Sequence, residues 1–387
     1  MQGVLLRSLS RGKALTKEGY LSSSSFRYLK RGSGVGGKRF SSRASDFFGV
    51  RLAVLESETE AHSNMLDIVA RDSSALAKAK ATEASLSPSH EQVKLFASPE
   101  EWLRQGRSEF WGEGAFNVSK YLANEVKDGQ QYGNVIVFAH SMGSTQTVLY
   151  DAPDDVADGV VCVTDVQTSG KGRGGNTWTS PAGCLMFTIA SSVREGRTIP
   201  LGQYLACLAV VEGVRSLPGF EELDINIKWP NDIYVNKTTK IGGILSQSTI
   251  KGNKFRVYFG IGLNVDNAEP TTCLNQLCEA KTTREAVLAA ILARYQVLHA
   301  AFEVNGFPGA IQQAYERHWL HSGQEVELAS EGGRKAIIQG LCVASGGSLL
   351  AKATDDGTLI ELLPDGNRLD FFQGLISRKV DPSKALS

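Results

Sequence analysis

Long hydrophobic runs are missing from this sequence. None reaches the ~18 to 20 apolar residues that a membrane-spanning helix needs, although 42% of the chain is hydrophobic. The expectation is a soluble protein with no membrane partner. Cysteine is sparse: its six copies (Cys162, Cys184, Cys207, Cys273, Cys278, Cys342) contain no C-x-x-C pair and no His at zinc-ligand spacing, which argues against a structural zinc site. Scattered along a chain with a full-sized core, they are expected to be reduced and mostly buried. Net charge is absent too, with 41 Lys and Arg against 41 Asp and Glu. An even spread of those charges would exclude a basic nucleic-acid surface and an acidic tail alike.

The spread is not even. Residues 1–45 hold ten basic residues (Arg7, Arg11, Lys13, Lys17, Arg27, Lys30, Arg31, Lys38, Arg39, Arg43), one acid, Glu18, and ten Ser, including Ser22 to Ser25. A basic, Ser-rich, acid-poor composition is that of an organelle transit peptide. Arg7 breaks the apolar Val4-Leu5-Leu6 too early for a secretory signal, and the cations lack the dense block or interleaved aromatics of a nucleic-acid-binding arm. The segment predicts delivery to a plastid (chloroplast) or a mitochondrion. Initiation at Met65, the second of four methionines, predicts a cytosolic form without it. The remainder carries 31 basic and 40 acidic residues, a net of −9.

At roughly 100 to 200 residues per domain, the length predicts two domains. Residues 72–92 are rich in Ser, Ala and Lys with little periodicity and read as linker within an extension, 46–115, that has no assigned role. Val135–Phe138, Gly159–Val163 and Leu185–Ile189 are short apolar runs with the pattern of buried strands. Ile199–Leu217 has helical spacing behind Pro200, and Ile225–Trp229 alternates as a half-buried strand. Lys240–Thr249 and Phe255–Val265 flank the turn signal Lys251-Gly252-Asn253, which predicts a hairpin. Thr282 and Glu285 form a capping-box pattern before the apolar run Val287–Phe302. After His321, short alternating segments between Gly pairs and Asp-Gly turns predict a small β-barrel over 322–387. Strand hairpins mixed with helices favour an α+β fold, a mixed sheet with flanking helices, over a doubly wound parallel sheet.

Two motifs invite other readings. Ala139-His140-Ser141-Met142-Gly143 resembles the nucleophile elbow of α/β-hydrolases, with Ser141 as nucleophile. Its triad His would have to be His299, His318 or His321, which fall on predicted helices or a helix end. Gly170-Lys171-Gly172-Arg173-Gly174-Gly175 spells G-x-G-x-x-G, but a dinucleotide fingerprint requires a helix directly afterwards. Asn176-Thr177-Trp178-Thr179-Ser180-Pro181 does not start one. Four glycines interleaved with Lys171 and Arg173 are instead suited to close approach to an anion.

Taken in order, Gly143-Ser144-Thr145-Gln146, GKGRGGNTW over 170–178, KWPNDIY over 228–234, KIGGIL over 240–245 and Gly260-Ile261-Gly262-Leu263-Asn264-Val265 resemble the catalytic domain of the biotin protein ligases, or holocarboxylase synthetases. The resemblance runs from about Phe116 to the C-terminal barrel. Gly174 and Asn176 stand where the family often has Arg, and Gln146 where it more usually has Asn. It implies a class II synthetase-like catalytic domain over 116–321 and an SH3-like barrel over 322–387. No counterpart of the winged helix of the repressor members is legible, so DNA binding is not implied.

The implied reaction joins the biotin carboxylate to the α-phosphate of Mg-ATP, giving biotinyl-5′-adenylate and pyrophosphate, and then passes biotin to the amine of a lysine on a carboxylase's biotin carboxyl carrier domain, with AMP leaving. Neither step needs a protein nucleophile. An anionic carboxylate must meet an anionic triphosphate, so positive charge and positioning should carry catalysis. Lys240 and Arg173 are the expected catalytic cations. The biotin site implied is Ser144, Thr145, Gln146, Gln167, Lys171, Gly172, Arg173 and Lys240, the small polar groups serving the ureido ring. The ATP site implied is Gly170, Lys171, Arg173, Trp178, Lys228, Asn231, Asp232 and Asn264, with Mg²⁺ arriving with the nucleotide and no protein ligand assigned. A lipoate or octanoate ligase is the nearest alternative.

Overall fold

Runs of β-branched and apolar residues become the strands of one large sheet. They are β1 (Met65–Ala70), β2 (Gln92–Phe96), β3 (Val135–Met142), β4 (Val160–Gln167), β5 (Cys184–Val193), β6 (Ile225–Lys228), β7 (Asp232–Val235), β8 (Thr239–Lys251) and β9 (Lys254–Asn264). Their order is β2-β1-β3-β4-β5-β9-β8-β7-β6. β1 runs parallel to β2 and β3 to β4, while the other neighbours are antiparallel. This is the mixed α+β sheet expected. The computed structural model describes residues 65–378 except 91, 108–113, 124–129, 153–155, 252–253, 268, 364–366 and 371–374. The basic segment 1–45 and the expected turn at Gly252-Asn253 therefore lie outside the described residues, although β8 and β9 pair as far as Lys251 and Lys254. The chain divides into two units, Met1–His62 and Ser63–Ser387, and every described residue belongs to the second.

Eight α-helices accompany the strands among the described residues: α1 (Leu76–Leu86), α2 (Pro99–Arg104), α3 (Val118–Leu122), α4 (Thr145–Tyr150), α5 (Ile199–Arg215), α6 (Leu274–Leu277), α7 (Arg284–Asn305) and α8 (Ala310–His318). α5 is buried almost all round, from Leu201 to Val214, as its nearly unbroken apolar sequence requires. It packs with α7 on the sheet face that carries Val161, Val163, Phe187, Ile189, Phe259 and Ile261. By length and composition α7 could cross a membrane. Its apolarity has a nearer cause, since Val287, Leu288, Ile291, Leu292, Tyr295, Leu298 and Phe302 belong to this core.

Three sequence expectations need correction. Residues 72–92 are not a linker: they hold α1, whose buried residues Ala79, Thr82, Ser85 and Leu86 are mostly too small or polar to register as an apolar stripe. Around α1, β1 and β2 join the main sheet, and β1 pairs with β3, so the sheet extends beyond the boundary expected at 115/116. Asp67 of β1 is fully buried and accepts from Trp102 Nε1 at 3.0 Å and Arg107 at 3.1 Å, which ties α2 and the segment after it to this unit. The third correction concerns α7. Its cap is Thr283, which accepts from the Ala286 N–H, rather than Thr282. Glu285 instead accepts from the Asn117 N–H at 2.8 Å.

Residues from Glu325 form β10 (Glu325–Leu328), β11 (Arg334–Cys342), β12 (Ser348–Ala353), β13 (Leu359–Leu362), β14 (Asn367–Asp370) and β15 (Leu375–Arg378). They make a second, mostly antiparallel sheet in the order β13-β12-β11-β10-β15-β14. The small β module expected after His321 is present as this six-stranded sheet, in which β13 and β14 do not pair with each other among the described residues.

Candidate active site

The second face of the main sheet is covered only in part. α1 and α4 lie over Val135, Val137, Ala139, Val160, Cys162, Ala190 and Tyr258. Beyond that patch, side chains on this face shrink. In register, Cys162 neighbours Thr188, Thr188 neighbours Gly260, and Gly260 neighbours Leu245; one step further, Thr164, Met186, Gly262, Gly243 and Asp232 stand side by side. Because side chains alternate between faces, Gly260 and Gly262 bare the same face of β9, with Gly243 beside them on β8. The result is a trough with a backbone floor.

Trp178 lies in that trough. A Cβ on Gly262 would stand 2.4 Å from the Trp178 ring, so only glycine lets the indole rest on the strand. The Gly-rich loop that delivers it folds back on itself: Gly172 N–H donates to the Asn176 carbonyl and Trp178 N–H to the Gly170 carbonyl. Gly174 and Gly175 turn the chain with φ of +65° and +82°, a conformation that favours glycine. No long helix follows, as the sequence led us to expect, and the loop is a small hairpin rather than a dinucleotide fingerprint.

At one end of the trough, Ser144, Thr145 and Gln146 open α4 and are all buried. Thr145 N–H donates to Gln167 Oε1 at 3.0 Å, and its hydroxyl meets Thr188 Oγ1 at 2.8 Å. These groups make a recess of hydroxyl and amide atoms. Gln146 is placed differently from a simple ligand: its amide nitrogen donates to the carbonyls of Leu245 at 2.7 Å and Tyr258 at 2.8 Å. It thereby fills the space above Gly260, 3.3 Å from the position of a Cβ.

At the other end are the charges. Lys240 Nζ pairs with Asp232 Oδ1 at 2.7 Å and lies 6.0 Å from the Trp178 ring centroid. Arg173 donates to Asn231 Oδ1 at 3.2 Å, and Asn231 Nδ2 donates to the Ile244 carbonyl at 2.9 Å. Lys171 reaches Thr147 Oγ1 on α4 at 3.2 Å. The loop is thus held to α4 by Lys171 and to the β6–β7 turn by Arg173. Lys228 pairs in register with Asp232 and lies 5.2 Å over the Tyr234 ring, at the far edge of the sheet. Asn264 supports rather than lines the floor, because its amide nitrogen donates to Thr271 Oγ1 and the Thr272 carbonyl, and Thr271 in turn donates to the Lys240 carbonyl.

Every residue expected at the site therefore lies at the same end of the sheet, with Gln146 and Asn264 largely committed to backbone. Sequence reasoning missed Thr188, Thr147 and the trough itself. The spacing Gly260-x-Gly262 was the available signal, since glycines two apart in a strand bare one face.

A protein nucleophile has no support here. Burial pushes the Cys184 thiol up to about 12, and its hydrogen goes to the Leu263 carbonyl. The histidines required by the hydrolase reading are engaged away from Ser141: His299 with Ser191 and Ser192, His318 beside Glu212, and His321 with Trp229 and Gln324. Among the described residues no cluster of three or more His, Cys, Asp or Glu is built to hold a metal ion. Asp232 is the carboxylate in the trough, which suits Mg²⁺ carried largely by substrate phosphates.

The chain is similar to known proteins over this same region. The profile of the biotin/lipoate A/B protein ligase family matches residues 138–264. Biotin–protein ligase 2 of Arabidopsis thaliana is 39% identical over 281 residues, covering 69% of this chain and 84% of that one. Biotin–protein ligase 1, chloroplastic, of the same plant is 39% identical over 282 residues, or 69% of this chain and 75% of that one. A solved biotin protein ligase from Aquifex aeolicus in complex with biotin and ATP is 26% identical, with a TM-score of 0.48 over 64% of this chain and 99% of that one. Identity at this level across most of the plant sequences, over the strands and loop that build the trough, places the chain in the biotin–protein ligase family.

Proposed function

We propose that this protein activates biotin with ATP to biotinyl-5′-adenylate, releasing pyrophosphate, and transfers the biotinyl group to a specific lysine of biotin carboxyl carrier domains, releasing AMP. The observation that carries this reading is the trough, with a polar recess at one end, an aromatic ring across its floor and Lys240, Arg173 and Lys171 around the other. The recess of Ser144, Thr145, Gln167 and Thr188 suits the ureido group, whose N–H and C=O would lose hydrogen bonds if buried unpaired. Trp178 would pack on the apolar ring system. Lys240, released from Asp232, would bridge the biotin carboxylate and the α-phosphate, and Arg173 and Lys171 would draw the loop over the anions and keep water from the mixed anhydride. Mg²⁺ bound with the nucleotide would supply further neutralisation of phosphate charge. Asp232, once its partner turns to substrate, would receive or orient the incoming lysine. The unit of the main sheet, from β1 to His321, would carry the chemistry, and the residues after it would form the second domain.

Incubating the protein with ATP, a carrier domain and either labelled biotin or labelled lipoate separates the readings. Biotin should become attached to the carrier's lysine and lipoate should not; attachment of lipoate in preference would reverse the assignment. The composition of residues 1–45 and the chloroplastic relative support delivery to a plastid. A reporter fused behind residues 1–64 should enter the organelle, and a diffuse cytosolic signal would count against it.

A further inference from the structure

The turn that carries Asn231 and Asp232 is joined to the C-terminal sheet at Trp229. Trp229 follows β6 and is buried. Its indole N–H donates to the Tyr204 hydroxyl at 2.9 Å and to the Gly347 carbonyl at 3.2 Å, and the Tyr204 hydroxyl donates to that same carbonyl at 2.8 Å. Gly347 lies in the turn between β11 and β12 with φ of +88°, and a Cβ there would stand 2.2 Å from the Tyr204 ring. The position accepts neither the conformation nor the volume of a larger residue. From the other side, His321 Nε2 accepts the Trp229 backbone N–H at 3.0 Å, just before β10 begins. Leu320 N–H also donates to the Ile227 carbonyl.

The residues that follow Trp229 are those of the charged end of the trough. The Pro230 carbonyl accepts from Gln203 at 3.2 Å, Asn231 holds Arg173, and Asp232 holds Lys240. Gln203 and Tyr204 are consecutive on α5, so one turn of that helix grips the segment at two points. The polar recess, by contrast, is built from α4, β4 and β5, where Thr145 bonds to Gln167 and Thr188. A displacement of the turn would move the charged end and leave the recess in place.

We infer that the C-terminal sheet takes part in adenylate formation as a positioning element: Gly347 and His321 fix Trp229, and Trp229 sets the Asn231–Asp232 turn against Lys240 and the Gly-rich loop. The inference rests on the ligase reading above. It assigns Trp229, Tyr204, His321 and Gly347 no contact with substrate. Their effect on rate comes from geometry, where misplacement by about 1 Å can cost ~100-fold.

The test uses the full chain and follows biotin-dependent ATP–pyrophosphate exchange and biotin binding by calorimetry, well below each variant's thermal midpoint. Trp229→Phe and Tyr204→Phe remove a donor while keeping a ring. Each should lower kcat for exchange by roughly tenfold or more through the displaced turn, while biotin Kd, set largely by the recess of Thr145, Gln167 and Thr188, rises by a clearly smaller factor. Gly347→Ala should give the same split more strongly. His321→Gln, which keeps an acceptor for the Trp229 N–H, should retain kcat where His321→Leu does not. Lower melting temperatures with unchanged kcat would make these residues structural only and overturn the inference. So would equal losses of kcat and biotin affinity, or no change at all. The two Phe variants decide the matter even where Gly347→Ala does not fold. Absence of any biotin-dependent exchange in the wild type would instead reject the ligase reading.

Discussion

Single residues at this site act through what they leave empty as much as through what they carry. Gly262 is the clearest case, because Trp178 occupies the space of its missing Cβ. Trp178 belongs to a loop and is only half-buried, so Gly262→Ala should move the ring rather than unfold the sheet. Overpacking of this kind costs about 1–3 kcal/mol, and with the ring displaced that cost falls on the ligand. Calorimetry should therefore show biotin affinity lower by ~10-fold or more with a melting temperature close to wild type; unchanged affinity would mean that Trp178 does not line the biotin site. Lys240 poses the opposite case of a charge that must be present. Its ion pair with Asp232 is only partly buried and adds little stability, so Lys240→Ala should fold normally. Adenylate formation should nonetheless fall by ~100-fold or more, the scale of removing one charge-stabilising donor. Near-normal pyrophosphate release would reject that role. Both residues were visible in the sequence as parts of motifs. Their working partners were not, because the register that sets Gly262 under Trp178 and Asp232 beside Lys240 is a long-range property of strand pairing.

At the scale of elements, legibility followed the chemistry of the buried face. Strands such as β4, β5 and β9 announce themselves by runs of Val, Ile and Phe, and α5 by apolar residues on nearly every side. α1 does not, since it buries Ala, Thr and Ser beside a single Leu, which is why residues 72–92 read as a linker. The start of α7 was misplaced by one residue for a related reason. Thr282 and Thr283 are both good caps in sequence, and only the tertiary bond from Asn117 N–H to Glu285 draws the Glu away from a capping box. That arrangement gives a specific expectation. Thr283→Ala should lower stability by about 1 kcal/mol, whereas Thr282→Ala, which leaves the cap intact, should cost less in thermal unfolding. Equal costs would return the cap to Thr282.

Across the whole molecule, two buried titratable groups far apart in the chain work against each other as pH falls. His321 is enclosed at the junction with the C-terminal sheet. With Nε2 accepting the Trp229 N–H, its ring proton sits on Nδ1 toward Gln324 Oε1, and burial lowers its pKa to about 4. Its folded pKa lies below the unfolded value of ~6.5, so its contribution to stability is complete above that pH and is lost as pH falls toward 4. Asp67 shifts the other way. Burial raises it to about 6 even with Arg107 and Trp102 beside it, so the unit of β1 and β2 gains stability as the carboxyl protonates below pH 6. Each swing amounts to about 2–3 kcal/mol between pH 7 and 4.5, and in the wild type they largely offset. His321→Gln keeps the acceptor but cannot take up a proton, which leaves the Asp67 gain unopposed. On going from pH 7 to 4.5 the variant should become more stable relative to wild type by about 2–3 kcal/mol, seen as a rise of several degrees in the difference between their melting temperatures. Melting temperatures that fall in parallel with acid would show that His321 titrates normally, and that the junction holding Trp229 does not depend on its neutral form.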